Sequence, residues 1–245
     1  VEMPSPTDGL ILFWNLETLA GAAMDDLSTT GNNGTITGTA DHTGQVGRAR
    51  GFDGVDDQIV SVSNPFSSLS SFTIALWLKP TVSGSNLPLS ADAAGIHYIS
   101  YGIVSANRYT VTWRTGATTG QLTASSTNAT GTYKHIAITY NGHTLRLFRD
   151  AVSQASAIAT GTFTTNSFRV GQRVGGLNLY TGDIDELRIY NRTLSMSDVD
   201  SIFTDTIEYP IAVQGEVNLR PIHLGQRKVM HYSRRSLAEI RSGNY

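Results

Sequence analysis

The stretch Tyr180–Phe203, YTGDIDELRIYNRTLSMSDVDSIF, joins an acidic turn, an alternating strand and a short capped helix. Successive side chains of a strand point to opposite faces. Regular alternation therefore puts Asp183, Asp185 and Leu187 on one face and Ile184, Glu186, Arg188 and Tyr190 on the other. Gly182 opens the run and Asn191 closes it, giving turn chemistry at both ends. Ser195 or Ser197 then offers a hydroxyl to cap a brief helix whose Val199, Ile202 and Phe203 fall on one side.

The rest of the chain repeats the strand-and-turn pattern. Glycine supplies 24 of 245 residues, charge is only 16%, and short apolar runs alternate with turn residues, as an antiparallel all-β domain requires. In FTIALWLK, Phe72, Ile74, Leu76 and Leu78 alternate with Thr73, Ala75, Trp77 and Lys79, so the strand can bury one face. Asn141-Gly142 between Ala137–Tyr140 and Leu145–Phe148 predicts a tight hairpin. The length suits one sandwich of the jelly-roll type plus an appendage.

The Tyr180–Phe203 stretch resembles the closing strand and helix of laminin G-like, or concanavalin A-like, lectin domains, G-x-I-D-E-[VL]-R-I-Y-N-R-x-L-S. Other blocks follow in the family's order. GLILFWNLE (9–17) is similar to the opening strand, DLSTTGNNGTITG (26–38) to a Gly/Asn-rich loop, and GQVGRARGFDGVDDQIVSV (44–62) to a strand pair. SFTIALWLKP (71–80), TYKHIAITYNGHTLRLFRD (132–150) and FRVGQR (168–173) complete the series. Tyr133 stands where a Trp is usual, and Thr29-Thr30 replace Gly-Asn in the loop. The resemblance implies a concanavalin A-like antiparallel β-sandwich over residues 1–204, leaving 205–245 as an ordered basic extension.

Charge divides along that boundary. Residues 1–204 hold 12 Lys or Arg against 16 Asp or Glu, and residues 205–245 hold 6 against 4. The extension carries regularly placed apolar residues (Ile207, Tyr209, Ile211, Val213, Val217, Leu219) and a Ser236-x-x-Glu239 capping pattern, yet is at the size limit for folding alone. It is therefore expected to dock on its own body or on other subunits of an assembly, with Arg227, Lys228, Arg234 and Arg235 as assembly residues. Those basic pairs lack a nucleic-acid-binding motif, so no nucleic acid is expected. The start VEMPSPTDG has neither a basic nor an apolar leader region, and no apolar run approaches the roughly 20 residues of a membrane span. Without cysteine the chain has no disulfide framework and no thiolate metal site.

Catalysis is not expected. Glucanases of this fold carry E-x-D-x-x-E on one strand, and the nearest string, Asp183–Arg188, has Arg in place of the last carboxylate. His97, Tyr98 and Tyr101 supply residue types used by polysaccharide lyases but read equally as an amphipathic strand. The family resemblance implies a structural Ca²⁺ site using Asp26, Asn33 and Asp185, with Asp56-Asp57 as a second acidic pair; Asp in a Gly-rich turn also caps backbone N–H groups without any metal. For glycan recognition the candidates are Trp113, Arg114, Tyr98 and Tyr101, because sugars present an apolar face and a rim of hydroxyls. Trp14 and Trp77 lie in core-strand blocks. The expectation is a non-catalytic recognition or structural protein at a virion surface, such as a capsid decoration or fibre component. The alternatives are a secreted carbohydrate-binding adhesion module and, third, a polysaccharide lyase or glycosidase.

Overall fold

The computed structural model describes residues 7–18, 21, 23–83, 86–93, 97–104, 108–127, 130–173, 179–204, 211–213 and 216–218. The strands of the first half are β1 (Leu10–Trp14), β2 (Ala23–Met24), β3 (Gly34–Thr37), β4 (Ala40–Thr43), β5 (Arg48–Asp53), β6 (Gln58–Ser61), β7 (Ser67–Leu69), β8 (Phe72–Pro80) and β9 (Asn86–Ala93). Then come β10 (His97–Val104), β11 (Arg108–Arg114), β12 (Thr119–Thr123), β13 (Lys134–Tyr140), β14 (Thr144–Arg149), β15 (Val152–Ile158), β16 (Phe163–Thr164), β17 (Ser167–Val170) and β18 (Thr181–Tyr190). One helix, α1 (Met196–Thr204), follows.

Two antiparallel sheets form the sandwich. The first runs β15-β14-β13-β8-β18-β5-β4, with β1 also on β18; the second runs β12-β11-β10-β9-β17-β6-β3-β2. Their facing side chains make one core, in which Trp14, Phe66, Phe72, Phe163, Phe168 and Tyr140 interlock with ring centroids 5.1 to 6.0 Å apart. The Trp14 indole N–H donates to the Asn32 carbonyl at 2.9 Å, so its polar edge is satisfied inside.

The first sheet buries its other face too. On β8, Phe72, Ile74, Leu76 and Leu78 enter the core, while Ala75 packs with Ala137, Phe148, Tyr190, Leu194, Val199 and Ile202 in a second apolar layer beneath α1. Ser195 is the cap: its hydroxyl accepts the Asp198 N–H at 3.1 Å and the Asp198 carboxylate accepts the Ser195 N–H at 3.1 Å. Phe203 extends the layer onto Trp77 and His135.

Three local expectations change. Alternation on β18 is broken by a bulge: Asp185 pairs with Trp77 and Arg188 with Ala75, so β18 spends an extra residue, and Glu186 takes φ +53°. Leu187 therefore joins Ile184 and Ile189 in the core rather than sharing a face with Asp183 and Asp185. Next, β5 and β6 do not pair; the Gly54–Asp57 turn carries the chain from one sheet to the other. Finally, the β13–β14 hairpin closes with Asn141 N–H donating to Thr144 O at 3.4 Å, which makes Gly142 (φ +88°) and His143 its central residues.

The chain divides into two units, residues 1–203 and 204–245. Of the second, the described part is an antiparallel pair, β19 (Ile211–Val213) and β20 (Glu216–Asn218). Arg227, Lys228, Arg234 and Arg235 lie outside the described residues.

Gly171 ends β17 at φ +91°, and a Cβ there would come within 2.5 Å of the Phe52 ring and 2.8 Å of the Asp57 carbonyl oxygen. Gly171→Ala is expected to lower the unfolding free energy by about 2–3 kcal/mol, from backbone strain and overpacking together, as read by chemical denaturation.

Candidate functional site

The loop after β2 is organised by Asp26. Its carboxylate accepts from Phe13 N–H (2.8 Å), Ser28 N–H (2.9 Å), Ser28 Oγ–H (2.7 Å), Thr30 Oγ1–H (3.1 Å) and Asn32 N–H (2.7 Å). Burial pushes this acid up, but the hydrogen bonds from Phe13, Ser28 and Asn32 outweigh it and leave it below the usual carboxylate range. Asn33 Oδ1 accepts the Asp26 N–H at 2.9 Å. These are the contacts of a turn-forming Asp, and they aim N–H dipoles where a cation would have to sit.

Asp185 belongs to a different neighbourhood. It is wholly buried on β18, and its Oδ2 accepts the Val46 N–H at 2.9 Å. Burial first, then Glu186, holds it well above the usual range. Of the residues expected to share a Ca²⁺, Asp26 and Asn33 are engaged with the loop's own N–H donors, whereas Asp185 Oδ1 is buried without a hydrogen-bond partner, so the three do not stand as one preformed set of free oxygen ligands. The acidic turn does hold a cluster: one carboxylate oxygen each of Asp53, Asp56 and Asp57 lies within 4.8 Å of the others, an arrangement that could hold a metal. Asp57 Oδ2 accepts the Asp53 N–H (2.7 Å) and Asp53 Oδ1 the Val55 N–H (2.7 Å), so part of this acidity shapes the turn.

The remaining β18 charges are consumed where they stand. Asp183 receives His42 Nδ1 (2.6 Å), Lys79 Nζ (2.9 Å) and the Tyr133 hydroxyl (3.4 Å). Glu186 Oε2 takes Arg188 Nη2 at 2.6 Å, and both side chains are 3% exposed. The Arg188 guanidinium also lies 4.6 Å from the centre of the Phe13 ring. Burial raises Glu186 to about 7 against the pull of Arg188, while burial and Arg188 lower His135 to about 3 and keep it neutral.

Two of the expected sugar-stacking rings are in the core. Trp113 is 3% exposed, and Tyr101 is fully buried with its ring 5.4 Å from that of Tyr109. They share their strand faces with Ile99, Tyr109 and Val111, so neither presents a ring to a ligand. Arg114 is exposed; the Tyr98 side chain lies outside the described residues.

The opposite face of this second sheet is polar. Leu89, Ala91, Ile99, Tyr101, Tyr109, Val111, Trp113, Leu122, Phe168 and Val170 point inward, and alternation turns their neighbours outward. Strand register lays these neighbours in rows. One row is Gln121, Thr112, Ser100, Ser90 and Arg169; the next is Thr119, Arg114, position 98, Asp92 and Ser167. Thr123 and Thr110 begin a third, with their hydroxyls 3.2 Å apart. Arg169 Nη1 donates to Gln58 Oε1 (2.9 Å), Ser90 Oγ to Gln172 O (3.2 Å), and Arg173 Nε lies 3.5 Å from Asp92 Oδ2. Sequence reasoning missed Ser90, Asp92 and Arg169, although NLPLSADA alternates apolar and polar residues through Leu87, Leu89 and Ala91.

Comparison with known proteins agrees with this architecture. The family described as Concanavalin A-like lectin/glucanases superfamily matches residues 53–200, and the chain belongs to it. Among solved structures, it is similar to domain 4 of AbnA, a GH43 extracellular arabinanase from Geobacillus stearothermophilus in complex with arabinotriose. That match has TM-score 0.67 and 21% identity, covering 79% of this chain and 97% of that one. The binding domain of Paraclostridial Mosquitocidal Protein 1 gives TM-score 0.67 at 17% identity, over 83% of this chain and 56% of that one. Trypanosoma rangeli sialidase in complex with sialic acid gives 0.63 at 14%, over 82% of this chain and 33% of that one. At these identities the likeness is one of fold. No curated protein sequence matches the chain. Among the described residues no helix is long and apolar enough to cross a membrane.

Glu186 yields a pH prediction. Its folded pKa of about 7 lies above the ordinary value of 4.5, so its contribution to stability is full below pH 4.5 and is lost as pH rises through 7. Measured against Glu186→Gln, which keeps an acceptor for Arg188 but cannot ionise, the natural protein should lose on the order of 3 kcal/mol across that window. Denaturation curves at stepped pH provide the check.

Proposed function

We propose that this sandwich is a non-catalytic carbohydrate-recognition module whose ligand lies across the outward face of β12, β11, β10, β9 and β17. The observation that carries this reading is the register-aligned array Gln121, Thr112 and Ser100, beside Thr119, Arg114 and Ser167, on the outward face. Hydroxyls and amides that both donate and accept match a sugar's hydroxyl rim, and a sheet holds them on a rigid grid. Three similar structures are a domain solved with arabinotriose, a toxin's binding domain and a sialidase solved with sialic acid, which supports the saccharide as ligand class.

The placement of the acids supports the non-catalytic part of this reading. Glycoside hydrolysis in its common forms needs two carboxyl groups flanking the bond. On the outward face of these five strands register places one, Asp92, while Asp183, Asp185 and Glu186 are 2%, 0% and 3% exposed on the other sheet. The Asp53, Asp56 and Asp57 cluster is the candidate for a metal ion in this reading.

A second role is favoured by the division of the chain at residue 204. Residues 205–245 would dock the module onto other subunits at a virion surface, their apolar and basic composition suiting a protein interface. Truncation at residue 204 should leave a folded sandwich of monomer mass, whereas the full chain should assemble. A full chain that light scattering finds monomeric would refute this role.

For recognition, the full chain is titrated calorimetrically with a panel of neutral and charged oligosaccharides. Thr112→Ala with Gln121→Ala should weaken the best ligand about tenfold, the worth of one or two neutral hydrogen bonds. His42→Ala, on the opposite sheet, should leave binding unchanged. Binding that survives the double change but fails with His42→Ala would move the site to the other sheet.

A further inference from the structure

The outward face of the second sheet is basic on a body that is not. Residues 1–204 hold 12 Lys or Arg against 16 Asp or Glu, yet on β9 to β12 and β17 the outward positions include Arg108, Arg114 and Arg169, with Asp92 as the acid. Arg173 reaches the same face through Asp92. By sequence, 84–85, 94–96, 105–107 and 174–178, the segments between the described parts of this region, are GS, AGI, SAN and VGGLN and contribute no charge. The cations of this face thus outnumber its acids, the reverse of the body as a whole.

The basic side chains here are all arginine. A guanidinium offers a planar fork that meets a carboxylate with two parallel N–H donors, which a point-charge ammonium does not. Arg169 is held in place by its hydrogen bond to Gln58 Oε1, and its Nε–H is buried without an acceptor. The Nε–H of Arg108 is in the same condition. Both Nε atoms lie beneath the surface, so a ligand meets the terminal nitrogens of each guanidinium, and for Arg169 the Gln58 contact fixes how that end is presented. Arg114 and Arg169 stand in adjacent rows on strands three apart, about 14 Å by strand spacing, with Thr112 and Ser100 in the interval. That span suits an oligosaccharide with repeated acidic groups better than one monosaccharide.

We propose that the ligand of this face is an anionic oligosaccharide bearing carboxylates, as uronate or sialate residues do, with Arg114 and Arg169 pairing its acids and the hydroxyl row between them reading its neutral groups. The proposal rests on the carbohydrate-recognition reading and narrows it to a ligand class. Binding of this kind is salt-sensitive, because the pairs sit at a surface within reach of screening.

The test is calorimetric titration of the full chain with an oligouronate, the same oligomer with its carboxylates reduced to alcohols, a sialylated oligosaccharide, a sulfated oligosaccharide and neutral gluco- and arabino-oligosaccharides. At least one carboxylated member should bind about tenfold or more tighter than its uncharged counterpart, the worth of one charge-assisted hydrogen bond. Arg169→Gln and Arg114→Gln should each remove about that factor and flatten the salt dependence, and Arg169→Lys should restore the salt dependence but not the full affinity. Thermal melts confirm that each variant is folded. If neutral oligomers bind as tightly as charged ones, the ligand class is wrong while recognition stands. Binding of the sulfated oligomer alone would overturn the carboxylate assignment, and failure of every saccharide would overturn both readings.

Discussion

A gap in a hydrogen-bond ladder sets the terms for the rest of this sandwich. Along one side of β18, β5 pairs with Thr181–Ile184 and β1 with Leu187–Tyr190, so two strands meet end to end and leave Asp185 and Glu186 between them. Backbone groups at such a junction lack sheet partners and lie too deep for water. The acids take over: Asp185 Oδ2 accepts Val46 N–H at 2.9 Å and Glu17 Oε1 accepts Arg48 N–H at 3.0 Å, tying the turn before β5 and the segment after β1 to the break. Arg188, which pairs with Glu186, the extra residue of the bulge, provides a buried counter-charge among carboxylates. Removing either partner would strand the other in the interior, a change that usually costs about 3–5 kcal/mol.

This junction decides which sheet is available for recognition. The first sheet's outer face is filled by the β18 charges, by Trp77 and His135, and by α1 packed over Ala75 and Ala137. The second sheet has no corresponding apolar layer among the described residues: its outward positions are mostly Ser, Thr, Gln and Arg, with Asp92 among them. Ser90 and Thr110 are 2% and 1% exposed, and their hydroxyls are held by Gln172 O and by Thr123 Oγ1.

Much of this was legible in the sequence. The order of blocks from Gly9 to Phe203 implied the sandwich, Ser195 was among the two caps anticipated, and Trp14 and Trp77 were rightly assigned to packing. The bulge was misread because DIDEL alternates in polarity. Its trace is the spacing of Ile184, Leu187 and Ile189, three and then two, which no regular strand can put on one face. Trp113 and Tyr101 looked like binding aromatics because a ring in a strand has the same local sequence whether it faces core or ligand. The cue was that Tyr109 and Val111 share the Trp113 face and would have needed burial as well. The Gly54–Asp57 turn reads as a hairpin because Gly-x-Asp-Asp serves a hairpin and a sheet-to-sheet crossing alike. Arg169 could not be placed without register, since its neighbours in space are 79 and 69 residues away in the chain at Ser90 and Ser100.

Net charge is the wrong quantity by which to judge such a protein's partners. Charges separated by more than the Debye length, about 8 Å at physiological ionic strength, are largely screened from one another at a surface. Within the first sheet, Asp183 is paired with Lys79 and Glu186 with Arg188, and burial favours the uncharged form of Asp185, so these acids project little field to the opposite side. A ligand approaching the second sheet therefore meets Arg108, Arg114 and Arg169 and not the acidic excess of the body. Segregation of this kind follows from the fold itself: the ladder gap needs buried carboxylates on β18, these place Asp183, Asp185 and Glu186 on the first sheet, and the other sheet is left to be polar and basic without weakening the core.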